Sequence, residues 1–443
     1  MEISTVTPTG EWLNFSRSHA CRPAHRAEPS SLGELREELA RAAKRQQRVR
    51  VVGSGHSYSD VALAPETQLS LRRLNAVEHV DARRGLVRVQ AGITVARLRT
   101  VLADNGLGFA NMGDTDGQSI AGALATGTHG TGLAVPAFSS QVAALQLMLA
   151  DGSLVEVSEE IDNDLFRAAR VSLGALGVVV GVTLRAIPRY FLRRVDTIVS
   201  REEALQLIAA PPPVDHFGVW LMPYADKAVV WQSVRVSEAE AGTPPSKLSL
   251  WWKDVFQVNA ALTVAGFVGR HWPSAVPGLD RLFAATLSSD DRTDRSDNIF
   301  IRPNSIRHNA LAYAVPLARG PEACRALLAA IERTRPAGVL PCEIRVAGAD
   351  DAWLHPQYGR QTAWIGSAMH APGFDVATCW REVEQACLAL GGRPHWAKWH
   401  TQDASKLSGM YPEWARFQAL RARLDPLGRF GSPAIDRLLG PVQ

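Results

Sequence analysis

The stretch VRVVGSGHSYSD, residues 49 to 60, joins a short apolar run to a glycine turn that carries a histidine. The run is typical of a buried strand, and it stops at Gly53. Glycines at a strand end permit positive φ and let a ligand or another backbone come close. Successive N–H groups in such a turn form a concave site for an anion. The stretch therefore predicts a strand that brings His56 and a row of backbone donors to a ligand.

A second stretch of the same character, GDTDGQSIAGALATGTHGTG, occupies residues 113 to 132. Two donor-rich segments suggest that a diphosphate is held by the main chain rather than by cationic side chains. Neither segment is GxxxxGKS/T, and neither is a GxGxxG between a strand and a helix, so a P-loop or Rossmann site is not favoured. The alternative is that both are only tight turns. His56 and His129, each beside a glycine, favour the ligand site.

Composition and charge narrow the classes of function. The 443 residues are 46% hydrophobic and 21% charged, which suits a globular protein with two or three cores. A net charge of +4 predicts no nucleic-acid partner. The five cysteines lack metal-ligand spacing, so we expect free thiols and no metal site. Neither a signal-peptide pattern nor a membrane-spanning apolar run is present, which predicts a cytoplasmic protein without a membrane partner.

Hydrophobic periodicity divides the chain into three parts. Residues 1–188 mix helical and strand patterns and predict an α+β domain that carries both glycine segments. Residues 189–392 predict strands and helices in an order that suits an antiparallel sheet covered by helices on one face. Residues 393–443 predict short helical pieces. The predicted fold class is therefore α+β with two domains.

Taken together, VVGSGHSYSD and QSIAGALATGTHGTG resemble the FAD-binding domain of the vanillyl-alcohol-oxidase-type flavoproteins. Further segments resemble the aldonolactone and alditol oxidases within that group, so that the resemblance covers most of the chain: VSLGALGVVVGVTLRAIP, EIRVAGADDAWLHPQYGR, RPHWAK and LDPLGRF. The resemblance implies that residues 1–188 bind FAD and that residues 189–392 form a cap domain for the substrate. It also implies that residues 393–443 return to the FAD-binding domain.

The resemblance also implies which residues hold FAD. They are Gly53, Ser54, Gly55, His56, Ser57 and Tyr58 in the first segment, Gly113, Asp114, Ser119, Gly122, Thr126, Gly127, Thr128, His129 and Gly130 in the second, and Gly177 and Val178 further along. In many relatives the histidine of this turn is bonded covalently to the flavin, and imidazole is a suitable nucleophile near neutral pH. We therefore expect covalent FAD on His56. A hydrogen-bonded turn histidine beside non-covalent FAD is the alternative.

A carboxylate and a guanidinium, Glu343 and Arg345, are two residues apart on a predicted strand and so share a face. One interpretation is a structural salt bridge. The resemblance implies the other, in which this E-x-R pair faces the flavin, holds the substrate and is joined by Lys398, one of six lysines. Glu343 can then accept the hydroxyl proton of the substrate. Arg345 and Lys398 can stabilise the negative charge that develops as hydride is transferred.

Two histidines are candidates for substrate contacts. His395 precedes Lys398 by three residues, and His370 lies late on the predicted strand that follows the E-x-R strand. In alditol oxidases a histidine follows the E-x-R glutamate on that strand, but the matching position here is Gly366, four residues before His370. The assignment of His370 therefore rests only on its place on that strand.

The resemblance predicts an FAD-dependent oxidase of a CH–OH group in an aldonolactone or alditol, with molecular oxygen as the expected acceptor. Ala312 stands where the lactone oxidases carry a glutamate, which favours a less polar substrate. Five tryptophans either contact such a substrate or pack in hydrophobic cores: Trp220, Trp231, Trp251, Trp252 and Trp272. The alternative is therefore a tailoring oxidase of a larger, glycosylated metabolite. A flavin-binding protein without turnover is disfavoured because the glutamate, arginine and lysine are all present.

Overall fold

The computed structural model describes residues 6–7, 10–135, 137–242, 246, 258–301, 306–370 and 373–442. Trp251 and Trp252, which were considered above as substrate contacts, lie outside these residues. Three larger sheets with their helices organise the described part of the chain.

The strand that precedes the glycine turn belongs to a small parallel sheet. The N-terminal elements are β1 (Trp12–Leu13), β2 (Ala20–Cys21), β3 (His25–Ala27), α1 (Leu32–Lys44), β4 (Val49–Val52) and β5 (Thr67–Ser70). Both β3 and β4 pair in parallel with β5, and α1 covers this sheet with Leu35 and Leu39. Because β4 ends at Gly53, the sheet fixes the place from which the turn emerges.

A five-stranded antiparallel sheet, in the order β10-β9-β11-β7-β6, carries the second glycine segment beside it. The elements of this part are β6 (Val77–Asp81), β7 (Leu86–Gln90), α2 (Val95–Asp104), β8 (Leu107–Gly108), α3 (Ile120–Ala125), β9 (Val142–Met148), β10 (Leu154–Ser158), α4 (Asn163–Ala169), β11 (Val178–Arg185) and β12 (Ile187–Pro188). The β9–β10 hairpin turns at Asp151 and Gly152, and Gly152 has a φ of +82°.

An eight-stranded antiparallel sheet forms the middle of the chain, in the order β16-β13-β15-β14-β18-β19-β17-β20. Its elements are β13 (Phe191–Val199), α5 (Arg201–Ala209), β14 (His216–Leu221), β15 (Ala228–Val236), α6 (Val258–His271), α7 (Val276–Thr286), β16 (Asp290–Arg295), α8 (Ser296–Phe300), β17 (His308–Pro316), α9 (Gly320–Thr334), β18 (Cys342–Ala347), β19 (Thr362–His370), α10 (Ala377–Ala389) and β20 (Arg393–Pro394). An α+β fold with a helix-covered antiparallel sheet is what the sequence predicts.

The two faces of the eight-stranded sheet differ in chemistry because side chains alternate along each strand. Phe217, Val219 and Ile344 belong to one face, which is buried under α5, α9 and α10. The other side, called here the inner face, carries the side chains of opposite parity. Among them are His216, Trp220, Trp231, Ser233, Glu343, Arg345, Trp364 and His370. The polar residues of the sheet are therefore gathered on the face that meets the second glycine segment.

The last part of the chain packs on the N-terminal part. It comprises α11 (Ala404–Leu407), α12 (Trp414–Leu424) and α13 (Pro433–Leu439). Phe417 and Ile435 share one hydrophobic core with Val87 and Leu98. The N–H group of Val49 donates to the carbonyl of Arg429 at 2.6 Å, which ties the tail to the edge of β4.

Candidate functional site

The turn after β4 presents a row of unpaired backbone donors. Among the described residues, no protein group accepts a hydrogen bond from the N–H groups of Gly53 to Ser57. The carbonyls of Gly55 and Ser57 are held by Phe15 and Asn14, at 2.7 and 2.9 Å. Backbone donors rarely stay unpaired unless they meet water or a ligand. The turn therefore has the donor set that an anion requires.

The second glycine segment lies directly against this turn. A Cβ atom on Gly53 would lie 2.4 Å from the hydroxyl oxygen of Ser119, so only glycine fits between them. Ser119 caps α3 by accepting a hydrogen bond from the N–H of Gly122 at 3.3 Å. The N–H groups of residues 115–118 also lack a protein acceptor in the described part of the chain. Residues 53–57 and 115–118 together form what is called here the glycine cradle, which suits a diphosphate.

Replacing Gly53 with alanine is expected to weaken binding of FAD by roughly tenfold or more, a loss of about 1.4 kcal/mol. The new methyl group would displace the side chain of Ser119 from its cap. The ratio of flavin to protein in the purified variant checks this, together with FAD titration in a His56→Ala background. The matched control is Gly33→Ala in α1, an exposed site with space for a methyl group. Full flavin content in the Gly53 variant would contradict the assignment.

His56 lies inside this cradle. Its ring stacks on Phe15 with centroids 5.6 Å apart, and a Cβ on Gly117 would come within 2.7 Å of Nε2. Burial lowers the pKa of His56, although Asp116 and a hydrogen bond to the Gly117 backbone act in the opposite direction. The imidazole is therefore largely neutral near pH 7, the form in which a ring nitrogen is nucleophilic.

Most of the other residues expected to hold FAD shape the second glycine segment, and the remaining two, Gly177 and Val178, lie at the start of β11. Thr126 donates to the Gly122 carbonyl, Thr128 to Gln118, and Gly127 adopts a φ of +71° beside His355. Gly130 leaves no room for a methyl group, because a Cβ would lie 1.9 Å from Oδ1 of Asn111, whereas a Cβ on Gly113 would be in tight contact with Thr128 at 3.1 Å. Gly177 precedes β11, which begins at Val178, and because the side chain of Val178 is buried in the core, only its backbone can face a ligand.

The tail brings Lys398 to the glycine cradle. The N–H of Tyr58 donates to the carbonyl of Ala397 at 2.6 Å, and the hydroxyl of Ser59 donates to the carbonyl of Trp396 at 2.9 Å. Lys398 is half-buried. Burial lowers the pKa of Lys398 overall, although the nearby carboxylate of Asp114 acts in the opposite direction. A lysine more than 300 residues away in sequence is thus next to the turn that carries His56.

Arg345 joins the inner face to the second glycine segment. Its Nη2 donates to both carboxylate oxygens of Glu343 at 2.9 Å and to Oδ2 of Asp114 at 2.8 Å. Burial alone would lower the pKa of Arg345, but Glu343 and Asp114 raise it overall. Lys398 interacts electrostatically with Glu343, Arg345 and Asp114. The structure therefore brings Glu343, Arg345 and Lys398 together around Asp114, which was expected to bind the cofactor and is also the partner of the arginine.

Two buried histidines lie next to this group of charges. His129 stacks on Trp364 of β19 with centroids 3.8 Å apart and donates from Nδ1 to the Gly130 carbonyl. His395 accepts a hydrogen bond at Nδ1 from the N–H of Ala397. Burial lowers the pKa of both well below the usual range, and the nearby cations lower it further. Both rings are neutral near pH 7, so neither adds a positive charge to the site.

His370 lies apart from the E-x-R pair. Glu343 is opposite Gly366, and His370 is four residues further along β19, which is about 13 Å at the usual strand rise. Its ring lies against Gly266 of α6, and burial lowers its pKa to about 4. A direct role for His370 at the same substrate atom as Glu343 is therefore not favoured by this geometry.

The sequence did not point to a contact between Tyr58 and His308. His308 donates from Nδ1 to the carbonyl of Ile306, so its Nε2 is the acceptor, and the hydroxyl of Tyr58 donates to it at 2.8 Å. The negative charge of Asp114 acts to raise the pKa of both side chains. The pairing joins residues 250 positions apart, and no local pattern marks it.

Ala312 and the described tryptophans give little support to an apolar substrate pocket. Ala312 is opposite Gly366 on the inner face, and its carbonyl accepts from the N–H of His395. Arg194 lies over the rings of Trp220 and Trp231, at 5.6 and 4.8 Å, so that these rings pack against a cation. Trp272 is 58% exposed.

The described residues show neither a group of metal ligands nor a membrane-spanning helix. No three His, Cys, Asp or Glu side chains in this part of the chain are grouped to bind a metal ion. Asp350 is buried and accepts hydrogen bonds from the hydroxyl groups of Ser139 and Ser140. No helix among the described residues combines the length and apolar character needed to cross a membrane.

Two known families match this chain. Residues 182–438 match the family described as D-arabinono-1,4-lactone oxidase, and residues 23–158 match the family described as FAD binding domain. The first match covers more than half of the chain. The second contains both parts of the glycine cradle.

Curated relatives match over almost the whole length. L-gulono-1,4-lactone dehydrogenase of Mycobacterium tuberculosis is 38% identical, over 97% of this chain and 99% of the relative. L-gulonolactone oxidase of Bos taurus is 31% identical, with 97% and 98% covered. D-arabinono-1,4-lactone oxidase of Yarrowia lipolytica is 27% identical, with 92% and 93% covered.

Solved structures of low sequence identity share the fold. A solvent-stable cholesterol oxidase superposes with a TM-score of 0.79 at 20% identity, and each chain is covered to 97%. A cholesterol oxidase from Brevibacterium sterolicum gives a TM-score of 0.81 at 17% identity, with the same coverage. These similarities establish the architecture, while the substrates named for those enzymes belong to them.

Proposed function

Since the chain belongs to the D-arabinono-1,4-lactone oxidase family, it is an FAD-dependent oxidoreductase of CH–OH donors, and we propose that its substrate is an aldonolactone. The observation that carries the proposal is the ion cluster of Glu343, Arg345, Asp114 and Lys398 beside the glycine cradle. A polyhydroxylated lactone offers many hydrogen-bonding groups to such a cluster. The relatives do not favour the alternative of a tailoring oxidase for a larger metabolite.

We propose the following roles for the chain's own residues. FAD, when bound in the glycine cradle, supplies the acceptor for hydride. Glu343 accepts the hydrogen bond of the substrate hydroxyl and takes its proton, since each carboxylate oxygen has more than one lone pair and Arg345 occupies only one on each. Arg345 orients that carboxylate. Lys398 stabilises negative charge that develops beside the cradle.

The proposed division of the molecule follows from the packing. Residues 1–188 and 393–443 would form the FAD-binding unit and residues 189–392 the cap. The support is that Phe417 and Ile435 share the hydrophobic core of the first part. Trp353, from the middle part, also packs in that core, so the cap would send one loop into the FAD-binding unit.

The test of the substrate is a panel of aldonolactones, alditols and glycosides mixed anaerobically with the purified protein. Bleaching of the flavin absorbance by aldonolactones, and by these most rapidly, is the expected result. Bleaching by glycosides alone would contradict the proposal. Molecular oxygen is the proposed acceptor, and formation of hydrogen peroxide under air, compared with reduction of an artificial dye, tests it separately.

The covalent flavin linkage is a further part of the proposal. We expect the yellow colour to stay with the polypeptide after acid precipitation, because His56 is a neutral imidazole inside the cradle. His56→Ala should release its FAD into the supernatant. His79→Ala, which removes an exposed histidine on β6, should retain it. Release of all colour from the unmodified protein would rule out the linkage.

A further inference from the structure

Two polar residues on the inner face lie directly opposite each other on neighbouring strands. His216 of β14 pairs with Ser233 of β15, and each side chain is only 1% exposed. Arg345 lies on the next strand, opposite Gly218, two residues along from His216. Three polar side chains from three adjacent strands are thus brought to one region of the sheet.

The hydrogen bonding of His216 leaves one acceptor unused. Its Nδ1 lies 2.8 Å from the carbonyl oxygen of Thr131, and because a carbonyl can only accept, Nδ1 carries the proton. Burial lowers the pKa of His216 to about 4, so the ring is neutral and Nε2 has a free lone pair. Within the described residues, Nε2 has no hydrogen-bond partner.

The same is true of two further buried atoms. In the described part of the chain, neither Oγ of Ser233 nor Nε of Arg345 has a hydrogen-bond partner. A buried polar atom without a hydrogen-bond partner destabilises the fold, so three such atoms in one place call for a ligand or a water molecule. Unlike Nε, the Nη2 atom of Arg345 has partners, because it donates to Glu343 and Asp114.

All three residues line one small cavity between the inner face and the second glycine segment. Asp114, Thr131 and Phe300 form part of the opposite wall. The space is the size of one water molecule, and the ring of Phe300 packs edge-on against His216 at 4.9 Å. One oxygen atom with its hydrogen fits there, whereas a whole sugar ring does not.

We propose that this cavity is a binding site for a single hydroxyl group, and that in the working enzyme the group is a side-chain hydroxyl of the lactone. The hydroxyl oxygen accepts from Nε–H of Arg345, its hydrogen is donated to Nε2 of His216, and Ser233 exchanges a hydrogen bond with it. This assignment rests on the proposed aldonolactone substrate. His216 and Ser233 would then select those lactones whose own side chain carries the hydroxyl group.

Binding of the side-chain hydroxyl in this cavity would position the lactone ring relative to Glu343. Arg345 lines the cavity and holds Glu343 with Nη2, so one planar guanidinium connects the two places. A lactone held at both would have its ring fixed relative to Glu343. The carbon to be oxidised would therefore be set by the distance between the side-chain hydroxyl and the reacting hydroxyl.

The test compares Ser233→Ala with the unmodified enzyme on two lactones, one with the side-chain hydroxyl and one lacking it. The dissociation constant, from anaerobic flavin bleaching, should rise about tenfold for the hydroxylated lactone, a loss of about 1.4 kcal/mol. The preference of the enzyme for the hydroxylated lactone should fall by the same factor. The control is Ser237→Ala, an exposed serine just beyond the same strand.

Crystals grown with and without the lactone distinguish a substrate hydroxyl from a bound water molecule. Equal losses for both lactones, with the same isolated oxygen density in both crystals, would identify a structural water molecule and overturn the substrate assignment. Unchanged binding of both lactones and a dry cavity would overturn the hydroxyl site altogether. If the enzyme oxidises no lactone, the proposed function fails, and oxygen density at His216, Ser233 and Arg345 alone decides whether the hydroxyl site stands.

Discussion

Replacing Lys398 with alanine is expected to slow reduction of the flavin by the lactone by about a hundred- to a thousandfold, while FAD stays bound. Lys398 lies outside the glycine cradle, so its loss removes no backbone donor from it. The backbone just before Lys398 is held against the cradle by hydrogen bonds from Tyr58 and Ser59, and its ammonium group interacts electrostatically with Asp114 and Glu343. A preorganised cation has its largest effect where charge develops during the reaction.

Anaerobic stopped-flow absorbance measures this rate directly. The matched control is Lys406→Ala, which removes an exposed lysine from α11 in the same tail. Flavin content and thermal unfolding should be the same in both variants. A Lys398→Ala rate within a factor of about three of the unmodified enzyme would show that the lysine has a structural role instead.

Replacing Arg345 with alanine is expected to be equally severe for the rate and, in addition, to weaken lactone binding. The change leaves Glu343 and Asp114 without the cation between them, which lets the two carboxylates repel each other. Breaking a fully buried ion pair costs about 3–5 kcal/mol. The cost in stability here should be smaller, because the side chain of Asp114 is 46% exposed and therefore screened by water.

Arg345→Lys separates charge from geometry. It keeps a positive charge and one nitrogen that can hold Glu343 and Asp114, as Nη2 does, but it lacks the separate Nε donor of the planar guanidinium. We expect it to restore thermal stability more fully than the rate of flavin reduction. Arg193→Ala, which removes an exposed arginine paired with Asp291 on a strand of the same sheet, is the control. A rate in Arg345→Lys equal to that of the unmodified enzyme would mean that charge alone is sufficient.

The sequence predicted the parts of this site that depend on local geometry. The strand at Val49 and its glycine turn follow from a short pattern, and the common face of Glu343 and Arg345 follows from the two-residue period of a strand. The helix-covered antiparallel sheet follows from the order of the elements. For the turn and the shared face the physical cause lies within about ten residues, whereas the sheet prediction uses the order of elements along residues 189–392.

Contacts over long distances in sequence were not predictable in the same way. Asp114 meets Arg345 across 231 positions, and nothing in the second glycine segment shows that its aspartate faces an arginine. His216 and Ser233 meet because β14 and β15 pair in one register, and a slip of either strand by one residue would turn its polar side chain to the covered face. The packing of Trp353 in the N-terminal core likewise required the folded structure.

The hydrogen bond from Ser59 to Trp396 joins residues that are 337 positions apart. At a synthesis rate of about 5–20 residues per second, Ser59 leaves the ribosome roughly 17–67 seconds before its partner. Throughout that interval the turn that carries His56 lacks its anchor, and the core that Phe417 and Ile435 complete is open. The turn that carries His56 therefore reaches its anchored form only after the tail has been synthesised, and we expect stable flavin binding to wait for that step.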